Sequence, residues 1–164
     1  MYSLRRQEDS LGEKMPITIV LLNPKYEINV ANTKRAAAAF GADAVLVIGK
    51  RYKPATGEKG DRKPRPLRMK VYDHIEIRDL ETLPSIYFDS NNLVVVEKLE
   101  WATPLPNFVH PENAAYIFGP EDGSVPKWIR EKAKFHTFIP TNECLNLASA
   151  VNVVLYDRNT KENR

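Results

Sequence analysis

Apolar positions along the chain fall into short blocks separated by polar turns, and the blocks alternate between two periods. ITIVLL (17–22), DAVLVIG (43–49), NLVVVEKL (92–99), AAYIFG (114–119) and FHTFIP (135–140) are brief runs rich in β-branched and aromatic residues. Such runs predict strands buried on both sides. Between them lie helical patterns. TKRAAAAFG (33–41) is dominated by the strongest helix former and closes on Gly41. RDLETLPSIYFD (78–89) suits a helix, VPKWIREKAK (125–134) is amphipathic with Pro126 at its start, and NLASAVNVVLYDRNT (146–160) predicts a terminal helix. NPKYEINVAN (23–32) reads as a loop, and LRMKVYDHIEI (67–77) as a helical turn followed by a strand.

Strands that alternate with helices and are apolar on both faces predict an α/β domain with a mostly parallel sheet covered on both sides. No repeat or second domain is legible; residues 1–15 read as a flexible arm and 16–160 as a single domain. Sheets of this kind bind ligands at the carboxyl ends of their strands. Three polar turns fall there: 23–32, 119–126 and 140–146.

Composition narrows the function classes. The 164 residues suffice for one compact domain with a real core, and 43% hydrophobic with 27% charged residues is ordinary globular usage. No apolar run approaches the roughly 18 residues that span a bilayer, and the polar start MYSLRRQEDSLGEK lacks the apolar core of a signal peptide. One cysteine excludes an intramolecular disulfide and suits a reducing, cytoplasmic setting. His74, His110 and His136 are scattered and give no metal-ligand spacing, so no metal is expected.

Charge adds a partner. Residues 50–70 carry nine bases against Glu58 and Asp61, a net +7, which leaves −4 for the remainder of a chain whose total is +3. A basic segment amid acidic surroundings is a solvated loop in its plainest reading, and also what contact with a phosphate backbone requires. Lys50, Arg51, Lys53, Arg62, Lys63, Arg65 and Arg68 are the candidate nucleic-acid contacts. Pro54, Pro64, Pro66, Gly57 and Gly60 keep the segment irregular, and Tyr52 and Tyr72 flank it as potential stacking residues.

The three turns concentrate the unusual residues. IFGPEDGSVP (117–126) leaves a strand through Gly119-Pro120 and offers Glu121 and Asp122, with neither a GxGxxG nor a GxxxxGK[ST] pattern. In NPKYEINVANTKR, Asn29 or Asn32 is positioned to cap the following helix and Arg35 falls in its first turn. In PTNECLNLASAV, Asn146 stands before the terminal helix. Cys144 has no basic partner nearby in sequence and is expected as a small buried residue rather than a nucleophile.

Taken in order, the three turns resemble the three motifs of the SpoU (TrmH-type) branch of the SPOUT RNA methyltransferases. NVANTKRAAAAFG is similar to motif one, an Asn followed by Arg ahead of a small-residue helix. YIFGPEDGSVP is similar to motif two, a strand entering Gly-Pro-Glu, and FIPTNECLNLASAVNVVLYD to motif three, Ile-Pro, a turn and then Asn before an apolar helix. The resemblance spans nearly all of residues 17–157. It implies an α/β fold with a C-terminal deep trefoil knot, S-adenosyl-L-methionine as cofactor, a homodimer, and methyl transfer to a ribose 2′-hydroxyl of RNA. By position it implies catalytic roles for Asn29, Arg35, Glu121 and Asn146, and cofactor contacts for Val96, Gly119, Ile139, Cys144 and Leu145. With no separate RNA-binding domain legible, the chain resembles minimal members that act on the wobble ribose of tRNA, which places tRNA ahead of rRNA. Two positions depart from the family pattern: Cys144 stands for Ser, and Ala31 for a Gly that tolerates positive φ. They leave open a second reading, a non-catalytic RNA-binding protein on the same fold.

Overall fold

The computed structural model describes residues 17–89 and 92–162; the arm expected over 1–15 lies outside them. Strands β1 (Thr18–Leu22), β2 (Ala44–Ile48), β3 (Glu76–Leu80), β4 (Leu93–Val96), β5 (Thr103–Pro104), β6 (Ala115–Phe118) and β7 (Phe135–Phe138) are linked by helices α1 (Glu27–Phe40), α2 (Arg65–Arg68), α3 (Ile86–Asp89), α4 (Lys127–Lys132) and α5 (Leu147–Glu162). The strands form one sheet in the order β3-β2-β1-β6-β4-β7-β5. Every pairing is parallel.

Successive side chains on a strand point to opposite faces, and both faces are covered. Ile19, Leu21, Val45, Val47 and Tyr116 join Val30 and Ala37 of α1 and Val151 and Leu155 of α5 in one apolar layer. Val20, Leu46, Val95 and Ile117 join Leu83, Val125 and Ile129 in the other. Burying each such side chain contributes about 1.5–3 kcal/mol, so double coverage makes the central strands the most strongly anchored part of the molecule. The α/β expectation is met.

Three elements differ from expectation. Helix α1 begins at Glu27 rather than Thr33, because Val30 and Ala37 bury a helical stripe and the Asn29 side chain finds tertiary partners instead of capping. Gly41 ends it as expected, in the left-handed conformation at φ 75°, its N–H on the Ala37 carbonyl. Residues 78–80, read as part of a helix, are strand β3, where Leu46, Val47 and Ile48 of β2 pair with Arg78, Asp79 and Leu80; only Ile86–Asp89 is helical, beyond Pro84. Strand β5 went unread because two residues carry no periodicity.

In a sheet whose strands all run one way, the carboxyl ends share one edge. The turns after β1, β6 and β7 therefore meet, and the segment after β4 joins them.

Candidate active site

A cavity of about 590 Å³ opens at that edge. Its walls come from the start of α1 (Tyr26, Asn29), the end of β4 (Val96, Glu97, Lys98), the turn after β6 (Gly119 to Glu121 and Gly123) and the turn after β7 (Ile139 and Thr141 to Leu147). Gly119 stands where the chain turns back on itself. A Cβ there would meet the Val125 amide nitrogen at 3.0 Å and the Ser124 carbonyl carbon at 3.1 Å, so a side chain would push the backbone of the 119–125 turn apart by a few tenths of an ångström.

One hydrogen-bonded chain ties the turns together. Glu121 accepts from the Lys25 amide at 2.8 Å, the Tyr26 amide at 3.4 Å and the Asn29 Nδ2 at 2.7 Å. The Asn29 Oδ1 in turn accepts from Asn146 Nδ2 at 3.0 Å. The Asn146 Oδ1 closes the chain on the first turn of α5, accepting from the Ala148 and Ser149 amides at 3.0 and 3.3 Å. Asn146 thus caps α5 as the sequence predicts. Asn29 does not cap α1; it is buried within it, its amide group donating to one turn and accepting from another. Burial pushes the Glu121 carboxyl up, but the Asn29 amide and the Lys25 and Tyr26 N–H groups outweigh it and hold the group below its ordinary value. Glu121 is therefore an anion with its charge fixed in place.

Val96, Gly119, Ile139, Cys144, Leu145, Asn29, Glu121 and Asn146 all line this cavity. Cys144 corrects an expectation: it is exposed rather than buried, because the turn that carries it forms the cavity wall. Ala31 is another correction. It lies inside α1, and among the described non-glycine residues only Asn23 has positive φ, so no left-handed conformation is asked of it. Arg35 stands apart. It is exposed on α1 and does not line the cavity.

The basic segment divides into engaged and free cations. Arg51 grips Asp122 with two 2.6 Å bonds, which hold the Asp122 carboxyl down to about 2, and Lys50 pairs with Glu81. The Ala55 amide donates to Glu27 at 2.7 Å, so the segment is fastened to α1 as well as to the turn after β6. Arg68 reaches the Lys63 carbonyl at 2.9 Å. Lys53, Arg62, Lys63, Arg65 and Arg68 are exposed and lack an acidic partner among the described residues. Among those residues no group of His, Cys, Asp or Glu is placed to hold a metal ion, and no helix is long and apolar enough to cross a membrane.

The order of the three turns and their meeting point agree with a family model described as the SpoU rRNA Methylase family, which matches residues 16–156. The chain belongs to that family. No curated protein sequence matches it significantly. Among solved structures, this SpoU family member is similar to the methyltransferase AviRb of Streptomyces viridochromogenes in complex with AdoMet, with TM-score 0.71 and 16% identity over 96% of this chain and 62% of that one. An AdoMet-bound rRNA methyltransferase of Sinorhizobium meliloti gives TM-score 0.71 and 19% identity over 92% and 59% of the respective chains. A protein solved in work on the 2-OH methylation of C/U34 on tRNA gives TM-score 0.68 and 22% identity over 94% and 95%. The chain thus spans less than two thirds of the first two relatives. At these identities the likeness is one of fold.

Among the lining residues that sequence reasoning did not assign to the site are Tyr26, Glu97 and Lys98. The last two follow β4, whose carboxyl end lies on the same edge as the others, so the rule that located three turns would have located this fourth one. Glu97 also joins two walls, accepting from the Val125 amide at 3.3 Å.

Proposed function

We propose that this SpoU family member is an S-adenosyl-L-methionine-dependent RNA ribose 2′-O-methyltransferase acting on tRNA as a homodimer. The observation that carries the reading is the Glu121–Asn29–Asn146 chain, which unites one residue from each motif on the wall of one cavity. The cofactor suits that cavity. Its volume lies in the ordinary small-ligand range, and the lining carboxylates Glu97, Glu121 and Glu143 outnumber Lys98, which complements a sulfonium and an ammonium group. When bound, the cofactor supplies an already activated methyl group.

The chain's own residues hold and orient. Gly119, Ile139, Cys144 and Leu145 bring backbone and apolar surface to the cofactor, and Val96 lines the adenine end. Glu121, Asn29 and Asn146 keep the three turns in register, so positioning carries much of the rate. A deep trefoil knot over the C-terminal half is consistent with β6 lying between β1 and β4 and with β7 beyond them. Arg35 polarises the ribose 2′-hydroxyl while anchoring the neighbouring phosphate with its planar fork. Because it does not line its own chain's cavity, this role calls for a second protomer. Exposed apolar side chains on α1 and α5, Ile28, Val153 and Tyr156, offer the surface such a partner would cover. The free cations of the basic segment contact the RNA backbone.

The decisive experiment incubates the protein with labelled cofactor and total RNA and maps the modified ribose by mass spectrometry. A 2′-O-methyl group at one tRNA position is expected; no incorporation into any RNA would overturn the reading. A mixture of Arg35→Lys and Glu121→Ala proteins, each inactive alone, should recover about a quarter of the sites through mixed dimers.

A further inference from the structure

Tyr26 is out of place by ordinary packing rules. It lies on the cavity, yet its ring is 50% exposed. Its side chain makes no hydrogen bond among the described residues. It stands at the N-cap position of α1 without a side-chain capping bond, so the helix uses its carbonyl, on the Asn29 N–H, but not its side chain. Its backbone, by contrast, is held firmly: Pro24 is buried, and the amides of Lys25 and Tyr26 both donate to Glu121. The result is a rigid stalk that holds an aromatic ring at the mouth of the cavity.

The surroundings of the ring are cationic. The Lys25 ammonium lies 5.3 Å from the ring centroid. An exposed ring beside a cation is how proteins hold a splayed nucleotide, the base stacked on the π-face and a phosphate met by the charge.

We propose that Tyr26 is the stacking platform for the base of the target nucleotide, with Lys25 receiving a flanking phosphate. The proposal rests on the RNA methyltransferase reading above and adds a substrate-positioning residue to it. Stacking is indifferent to base identity, since every base has a π-face, so this platform fixes where the nucleotide sits without choosing among bases.

The test compares Tyr26→Ala, Tyr26→Phe and Tyr26→Trp, with methylation of total RNA followed as a function of RNA concentration. The alanine variant should raise KM for RNA roughly tenfold to a hundredfold, with kcat changed less and cofactor affinity by calorimetry unchanged within about twofold. Phenylalanine and tryptophan should restore KM, because both keep a ring and the backbone amide to Glu121 is common to all three. An alanine variant with wild-type KM overturns the platform while wild-type turnover leaves the methyltransferase reading standing. Equal loss of cofactor affinity would mark Tyr26 as part of the cofactor wall and also overturn it. A wild-type protein that neither binds nor methylates RNA would sink both.

Discussion

Helix α5 has a polar network at each end, and the two are built to different purposes. At its start, Asn146 joins Asn29 and Glu121 beside an open cavity. At its end, Arg158 donates to the Pro111 and Glu112 carbonyls at 2.7 Å each and to the Tyr116 hydroxyl at 2.9 Å. His110 bridges the Tyr116 hydroxyl and Asp157 at 2.6 and 2.8 Å, and Lys161 closes on Asp157 at 2.6 Å. None of these residues lines the cavity at the strand ends; their donors and acceptors satisfy one another. Arg158 is 2% exposed and Tyr116 fully buried, whereas Asn146 is exposed. A polar network closed on itself stabilises the fold, while one with an open side leaves groups free for a ligand.

The sharpest way to break that comparison is at Arg158. Arg158→Met leaves the Pro111 and Glu112 carbonyls without their donor, takes one of its two partners from the Tyr116 hydroxyl, and removes a buried charge. It should cost about 3–5 kcal/mol of stability, read as a fall of roughly 10 °C or more in Tm. Cofactor affinity at a temperature where the variant is folded should be untouched.

Glu121→Ala should do the reverse. It leaves the Asn29 amide and two backbone N–H groups without their acceptor, and calorimetry should show cofactor affinity down by about 30- to 150-fold, equivalent to about 2–3 kcal/mol. The fall in Tm should be smaller than for Arg158→Met. Equal effects of the two substitutions on affinity would erase the distinction between the networks.

A third prediction uses pH. Burial pushes the His110 imidazole below its ordinary 6.5, with the Asp157 carboxylate acting in opposition. Below 6.5 the unfolded chain takes up a proton that the folded protein resists. Stability is therefore complete above 6.5 and declines as pH falls through that value, by at most about 1.4 kcal/mol per pH unit from this one group. Chemical denaturation from pH 7.5 to 5.5 should show this slope, and His110→Gln should flatten it.

The smallest effect is expected at the Arg51–Asp122 clamp, an exposed pair of the kind that adds little to stability. Asp122→Asn should leave Tm nearly unchanged. By releasing Arg51 it should steepen the dependence of RNA affinity on salt by about one in the log–log slope.

The open network was legible in the sequence and the closed one was not, for a physical reason. Glu121 and Asn146 sit in turns where polar residues interrupt apolar runs, Asn29 follows the turn after β1 at the start of α1, and the parallel arrangement dictates that those turns meet. His110, Asp157 and Arg158 carry no such mark. A helix end with mixed charges reads as solvated surface, and only the packing of α5 over the 109–113 segment reveals it as interior. Cys144 and Arg35 show the limits in opposite directions. Cysteine's usual burial misplaced the first, and a motif position named the second without saying which cavity it serves. Tyr26 escaped notice because a lone aromatic in a loop signals nothing until its backbone is seen to be tied down.

The strand order has a consequence for the life of the chain before it is complete. Strands β1, β2 and β3 are neighbours and can assemble as soon as the first half has been synthesised, but the other side of β1 pairs with β6. Until Ala115–Phe118 has emerged from the ribosome, an apolar strand destined for the centre of the sheet presents a bare edge. Long-range parallel pairing is slow and exposes such edges to the wrong partners. Translation rate and chaperone access between the two halves are therefore where yield of this protein is decided.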